Sequence, residues 1–381
     1  MKIAINTWVL RNKKLDGIGY FTVNAVSDMI KNHPEAEFQI LCDKNFTEPY
    51  FDFPNVTKHY IFPALRHPVL YVFYIQIRLY FFLLKHKPDL FLSMEGFINL
   101  FTKTKQLPAI YDINFEHQPE GLKLMNRVYF RFFFRRFVRK STRIATISEY
   151  SKMDIADFYK ISRDKIDNVS CGINSNFKPL TKEQIESTRQ KWSQGFPYFF
   201  FVGSMHPRKN IKRLIEAFTL FKKNTQSDFK LVLAGSILWS GSEIEDALNT
   251  SAAKNDIVFT GRLSDEDLQL ALGSAYALSF VPIFEGFGLP IVEAMDSGVA
   301  VICSNVTSMP EVAGDATIQV DPYNVPEIAQ AMERLSKDES LRQELIKKGN
   351  IQKTKFSWDR TAKLLWDSIG KAIKEPASSI G

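Results

Sequence analysis

Short apolar runs alternate with helix-length amphipathic segments along most of the chain, and the alternation occurs in two series. The first runs KIAIN (2–6), FQILCD (38–43), DLFLSM (89–94), PAIYDI (108–113) and RIATIS (143–148). The second runs YFFFVGS (198–204), FKLVLAGS (229–236), IVFTGR (257–262), ALSFVPI (277–283), VAVICS (299–304) and TIQVD (317–321). Strands separated by helices pair in parallel through right-handed crossovers, so each series predicts a doubly wound α/β domain with an open parallel sheet. Two such domains suit 381 residues, a length too great for one ordinary core. The break is expected at NSNFKPLTKEQ (174–184), a polar stretch with a proline before the next helix. That places one Rossmann-like domain at 1–176 and another at 177–357, with a last helix at about 358–375 free to pack back onto the first. Ligands of open α/β sheets lie beyond the carboxyl ends of the strands, so a ligand is expected in a cleft between two such domains facing each other.

Apolar residues at 45% and charged residues at 24% are an ordinary globular balance. The 49 basic against 42 acidic side chains leave a formal net charge of +7, which favours anionic partners; no nucleic-acid motif accompanies it. Cys42, Cys171 and Cys303 are widely separated and have no metal-ligand spacing, which suits a reducing cytoplasm. MKIAIN runs directly into a strand-like segment, so no secretory leader is expected. The longest apolar stretch, VLYVFYIQIRLYFFLL (69–84), is interrupted by Gln76 and Arg78 and is too short for a bilayer span, so it reads as a buried helix.

The sharpest chemical signal is FEGFGLPIVEAMDSG (284–298). It follows the apolar run Ala277–Ile283, with Pro290 suited to the first helical position and Gly298 to the helix end. Glu285 then lies on the loop at a strand's carboxyl end and Glu293 on the helix that follows. Gly286 and Gly288 between them let backbone amides approach an anion. This is the layout of a phosphate-bearing ligand site; the plainer reading is a strand-to-helix turn with a capping acid. In FVGSMHPRKNIKRLIEAF (201–218), Asn210 is expected to cap a helix from Ile211, leaving Arg208 and Lys209 just before it, where they converge on phosphate oxygens or stand as surface charges.

Together with FTGRLSDEDL and FEGFGLPIVEAMDSGVAVICSNVTSMPEVAGDA, that segment resembles the donor domain of the retaining family 4 glycosyltransferases, which have the GT-B fold. LDGIGYF, YDINFEHQPE and TISEYSK extend the resemblance over nearly the whole chain in order. The resemblance implies an N-terminal acceptor-binding domain and a C-terminal domain that binds a nucleotide-sugar donor. Glu285 would contact the donor sugar near the reacting centre, and Glu293 would accept hydrogen bonds from the ribose diol. Gly286, Phe287, Gly288 and Leu289 would present backbone amides to sugar hydroxyls and diphosphate. Arg208 and Lys209 would neutralise the leaving diphosphate, bordered by Gly203 and Ser204. Arg262 and Leu263 stand where the family lines its base pocket, and Glu311 would orient a phosphate-side helix near Ser308.

On the acceptor side, Gly17 and Gly19 would allow close backbone approach. Asp112 matches the aspartate of a family His-Asp pair, but Tyr111 replaces the histidine, and His117 is a candidate for acceptor contact or proton handling; its plainer reading is a structural loop histidine. Ile283 and Asp296 also depart from the family pattern, and both bear on the sugar pocket. DED (265–267) fits a metal-binding pattern of other transferases, yet it opens a helix where acids favour the dipole, so neither metal nor other cofactor is expected. GIG in LDGIGYF lacks the third glycine of a dinucleotide fingerprint.

In NRVYFRFFFRRFVRKSTR (126–143) Arg127, Arg131, Arg135 and Arg139 form one helical stripe, with Phe130, Phe133, Phe134 and Phe137 opposite. Either the basic face is simply solvated, or the Arg127–Arg143 segment meets anionic lipid or a lipid-diphosphate acceptor. The expected protein is a cytoplasmic, peripherally membrane-associated enzyme of cell-surface polysaccharide or lipopolysaccharide biosynthesis. It would transfer a mannosyl or related hexosyl group from a GDP- or UDP-sugar to a glycan or lipid-linked acceptor. The rival readings are a catalytically silent sugar-nucleotide-binding subunit and a GT-B sugar-nucleotide epimerase.

Overall fold

The computed structural model describes residues 1–11, 15–43, 48–61, 72–119, 124–173, 176–236 and 242–376. Residues 69–71 of the long apolar run, Glu120, the Asn126 side chain, and Asn174 and Ser175 of the expected linker lie outside them. The chain divides into two compact units, Met1–Gly172 with Phe356–Gly381, and Ile173–Lys355.

Among the described residues the first unit has a five-stranded sheet, all parallel, in the order β3-β2-β1-β4-β5. Its strands are β1 (Lys2–Asn6), β2 (Glu37–Asp43), β3 (Val56–Ile61), β4 (Leu90–Ser93) and β5 (Lys105–Pro108). A two-stranded sheet, β6 (Ile144–Thr146) with β7 (Ile166–Asn168), extends it through a bridge between Ala109 and Ala145. Two readings need correction: the strand expected at 108–113 is β5 at Lys105–Pro108, and β3 and β7 are additional. VTKHYI, the β3 sequence, lies on the sheet edge, where burial on one side leaves no continuous apolar run.

Among the described residues the second unit has a six-stranded parallel sheet in the order β10-β9-β8-β11-β12-β13. Its strands are β8 (Tyr198–Val202), β9 (Lys230–Ala234), β10 (Ile257–Gly261), β11 (Ala277–Phe280), β12 (Ala300–Ser304) and β13 (Ile318–Val320). All six coincide with the expected apolar runs. In each sheet the winding moves outward from its first strand, then returns to that strand's other side, so switch points fall between β1 and β4 and between β8 and β11.

Six helices matter below: α1 (Gly17–Asn32), α2 (Leu124–Lys140), α3 (Ile211–Thr225), α4 (Asp265–Gly273), α5 (Leu289–Asp296) and α6 (Trp358–Lys374). On α2, Phe134 and Phe137 are buried with Ile98, Ile110, Val138 and Ile155, and Phe130 and Phe133 pack against the same cluster. The apolar run before β4 forms a π turn, Tyr74–Arg78, continued by an α-helix, Leu79–His86. It is not a wholly buried helix: Tyr74, Ile75, Leu79 and Leu83 are buried, whereas Phe73, Ile77, Phe81 and Leu84 face outward. Gln76 is buried and donates its amide to the Ile98 carbonyl at 3.1 Å, which lets a polar residue sit in the run.

Candidate active site

The loops after β8 and β11, adjacent strands at the second unit's switch point, carry the candidate residues. Beyond β8 the chain makes a 3-10 turn, Pro207–Lys209, and the Arg208 carbonyl accepts from the Ile283 amide at 2.8 Å. Asn210 departs from its expected role. Its φ is +63 and its side chain makes no cap; the amide instead donates to the carbonyls of Val281 (3.0 Å) and Pro322 (2.7 Å), and its oxygen accepts from Arg213. The buried amide thereby fixes the basic turn to the end of β11.

Glu285 pairs with Arg208 at 2.7 Å and with Lys209, whose ammonium also lies 5.0 Å from the centroid of the Phe280 ring. Arg208 donates to the Phe284 carbonyl at 3.0 Å as well. Burial would push the Glu285 carboxyl up, but Lys209 and Arg208 together hold it below its ordinary value. Both cations lie against the one carboxylate, and Lys209 is only 8% exposed. His206 adds no charge: burial, then Arg208 and Lys209, hold its imidazole below the ordinary value, and its Nδ1 accepts from the Arg208 amide at 3.3 Å.

Backbone geometry keeps this place open. Gly235, at the end of β9, has φ +145, and a Cβ there would lie 1.8 Å from the Gly203 carbonyl oxygen. Gly203 and Ser204 therefore lie against Gly235, with Lys209 Nζ 3.6 Å from where a Gly203 Cβ would stand. Gly288 has φ +102 and would place a Cβ 2.6 Å from Met309 Cε. Ser308 Oγ donates to the carbonyls of Glu285 (2.9 Å) and Phe287 (3.0 Å), pinning the glycine loop. Gly235 and Asn210's anchoring role were missed by sequence reasoning; only the glycine directly after an apolar run pointed to the former.

Gly286, Phe287 and Gly288 are buried, and Leu289 opens α5, one residue before the expected helix start at Pro290. Glu293 lies one turn into α5, half-buried, and burial, with Asp265 nearby, raises its carboxyl to about 7. Asp265 stands at the start of α4, just beyond exposed Arg262 and half-buried Leu263, so that loop and Glu293 are neighbours. Ser264 caps α4 by accepting from the Asp267 amide at 3.1 Å, and Asp267 pairs with Lys191 at 2.6 Å. Asp296 pairs with Lys353 at 2.9 Å.

In the first unit, Gly17 and Gly19 occupy the first turn of α1, where Asp16 caps by accepting from the Gly19 amide at 2.9 Å. Tyr111 donates its hydroxyl to the Met94 carbonyl at 3.0 Å, and burial holds that hydroxyl's pKa well above the ordinary value. Asp112 accepts from the Asn114 amide at 3.0 Å, and His117 Nε2 meets both Asp154 carboxylate oxygens at 2.8 and 2.9 Å. The switch point between β1 and β4 holds Asn6, whose amide reaches Glu95 at 3.5 Å, a pair the motifs did not mark.

Two family profiles divide the chain much as its sheets do: the one described as Glycosyltransferase Family 4 matches residues 23–177, and Glycosyl transferases group 1 matches 183–352. The chain belongs to glycosyltransferase family 4. This family 4 chain is 33% identical over 217 residues to the O-antigen chain mannosyltransferase B of Escherichia coli, and the match spans 57% of each protein. A solved glycosyltransferase from Rickettsia africae superposes with a TM-score of 0.73 at 17% identity, covering 98% of this chain and 99% of the other. The Anabaena protein Alr3699/HepE, solved with UDP and glucose, gives 0.73 at 15% identity over 97% of this chain and 100% of the other. The fold is GT-B, with the two parallel α/β sheets described above.

Proposed function

We propose that this chain transfers a sugar from a nucleoside-diphosphate donor to a glycan or lipid-linked acceptor, with retention at the anomeric carbon, during assembly of a cell-surface polysaccharide. The observation that carries the reading is the Glu285–Arg208–Lys209 cluster, which gathers the positive charge of two side chains beside the glycine loop at the switch point. The donor diphosphate takes that charge, the Gly203–Ser204 and Gly286–Leu289 backbones approach it, Glu285 orients the sugar, and Glu293 accepts from the ribose diol. Arg262 and Leu263 line the base. The bond from anomeric carbon to diphosphate oxygen breaks, the acceptor hydroxyl oxygen bonds on the same face, and its proton passes to the departing diphosphate. Gly17, Gly19, Asp112 and His117 belong to the acceptor side. The reading calls for no metal or other cofactor, since Arg208 and Lys209 supply the countercharge. A mannosyl donor is favoured by the mannosyltransferase relative, whose name concerns O-antigen chains.

The acceptor side carries a finer part of the proposal. Exposed Arg131, Arg135, Arg136 and Arg139 on α2 surround Phe132, which is 51% exposed, and Val128, which is 61% exposed. Phe97 packs in both the cluster beneath α2 and the cluster beneath Leu79–His86, and the run 73–86 exposes Phe73, Ile77, Phe81 and Leu84. Basic residues interleaved with outward aromatics suit an anionic membrane surface. No helix among the described residues is long and apolar enough to cross a membrane.

The test is thermal stabilisation by UDP, GDP, ADP and NAD, since a ligand at 100 times its dissociation constant stabilises by about 2.7 kcal/mol. Stabilisation by one nucleoside diphosphate, lost in Arg208→Ala, is expected; no response to any of them sinks the donor site. Product analysis then separates the rivals: an epimerase alters the donor without acceptor, and a silent subunit shows no turnover for Glu285→Gln to remove.

A further inference from the structure

The turn after β12 contains a residue that the motifs pass over. Thr307 has φ +56, a region where a β-branched side chain crowds its own backbone. The Met309 amide donates to the Val306 carbonyl at 3.3 Å, closing a turn whose central residues are Thr307 and Ser308. Ser308 stands at φ −79 and ψ −8, so the turn has the II′ pattern of φ values, in which the first central position favours glycine. Threonine is an unfavourable choice there, and stability alone would select against it.

Its hydroxyl adds a second unfavourable feature. Thr307 Oγ1 is buried with no hydrogen-bond partner, whereas the Ser308 hydroxyl next to it is committed to the carbonyls of Glu285 and Phe287. An unmade hydrogen bond and a strained backbone on the same residue mark a place where a ligand completes the structure. Location says which ligand. Through Ser308 the turn is tied to both ends of the segment Glu285–Phe287, so Thr307 adjoins the loop that admits the diphosphate. The residue as a whole is only half-buried, so the enclosed hydroxyl belongs to a side chain partly open to solvent.

We propose that Thr307 is a binding residue of the donor site, its hydroxyl bonding an oxygen of the donor's sugar-diphosphate. The inference rests on the donor-site reading above. Titration calorimetry on the full chain with GDP, UDP, GDP-mannose and UDP-glucose tests it in Thr307→Ser, Thr307→Ala and Thr307→Gly. Loss of the hydroxyl in Thr307→Ala and Thr307→Gly is expected to weaken binding about tenfold, while Thr307→Ser stays within about twofold of wild type. Thr307→Gly should melt at or above the wild-type temperature, because glycine relieves the turn. A loss seen with nucleoside diphosphate and nucleotide-sugar alike places the contact on the diphosphate; a loss confined to the nucleotide-sugar places it on the transferred sugar. Thr307→Ala binding as tightly as wild type, or Thr307→Ser as weakly as Thr307→Ala, overturns the proposal. A wild-type protein that binds none of the four instead removes the donor site itself, and Thr307 with it.

Discussion

Glu285 and Glu293 are eight positions apart in sequence, and their surroundings drive their protonation in opposite directions. Two cations hold Glu285 ionised, whereas Glu293 is raised to about 7 by burial with Asp265 beside it. In the free protein the Glu293 shift favours folding below the ordinary carboxylate pKa, and that contribution is lost as pH rises through about 7. Glu293→Gln should therefore gain stability relative to wild type between about pH 5 and pH 7, with no further change above. Ribose hydroxyls donate best to the ionised carboxylate, so donor affinity should fall by up to about tenfold per pH unit below 7 in wild type and stay level in Glu293→Gln. A nucleotide-sugar is the ligand to titrate, because its diphosphate has no proton to gain near neutrality; matching pH profiles would remove Glu293 from the ribose site. The spacing of these carboxylates was legible in the sequence, since a glycine loop opening a helix has a local signature. Asn210 was not: its amide bonds residues 71 and 112 positions away, a partnership no local pattern encodes.

Among the elements, legibility followed burial. The four inner strands of the second sheet, β8, β9, β11 and β12, read correctly because inner parallel strands are apolar on both faces, whereas β3 and β7, with polar residues interleaved, did not stand out. The same physics explains the mistaken burial of the run before β4. Its composition is nearly uniform, but a helix against one sheet hides only one side, leaving Phe81 61% exposed. For α2, periodicity separated the two faces correctly, and Phe132 was the residue out of place; Arg136 now lies 3.6 Å from its ring centroid. If these outward aromatics meet lipid, the full chain should float with vesicles containing phosphatidylglycerol and less with phosphatidylcholine alone, the difference shrinking in high salt. The double variant Phe81→Glu, Phe132→Glu should lose flotation and keep nucleotide stabilisation, because both side chains are already exposed. Flotation unchanged in that variant would reassign the aromatics to another role.

Over the whole molecule the chain passes through the second unit and returns, so the first is completed by its last helix. α6 is bound there by specific contacts. Trp366 stacks on His33 at 3.7 Å, Trp358 meets Phe21 edge-on, and Asp359 accepts from Asn32 at 3.3 Å. Ser368 and Lys371 reach Asp167 at 2.7 and 2.8 Å, where Arg143 also binds at 2.7 Å and holds Glu375 with its other arm. Sequence order left this attachment open, because a helix that follows the second series carries no mark of the sheet it covers. A chain ending at residue 355 should consequently damage the unit farther from the cut in sequence. Hydrogen exchange should accelerate in α1, β4 and β5, against which α6 packs, while β8 to β13 keep their protection and the nucleoside diphosphate still stabilises the second unit. Exchange rising first in the second sheet would mean that α6 supports the donor site, and the two units would then be coupled through their shared chain rather than folded on separate cores.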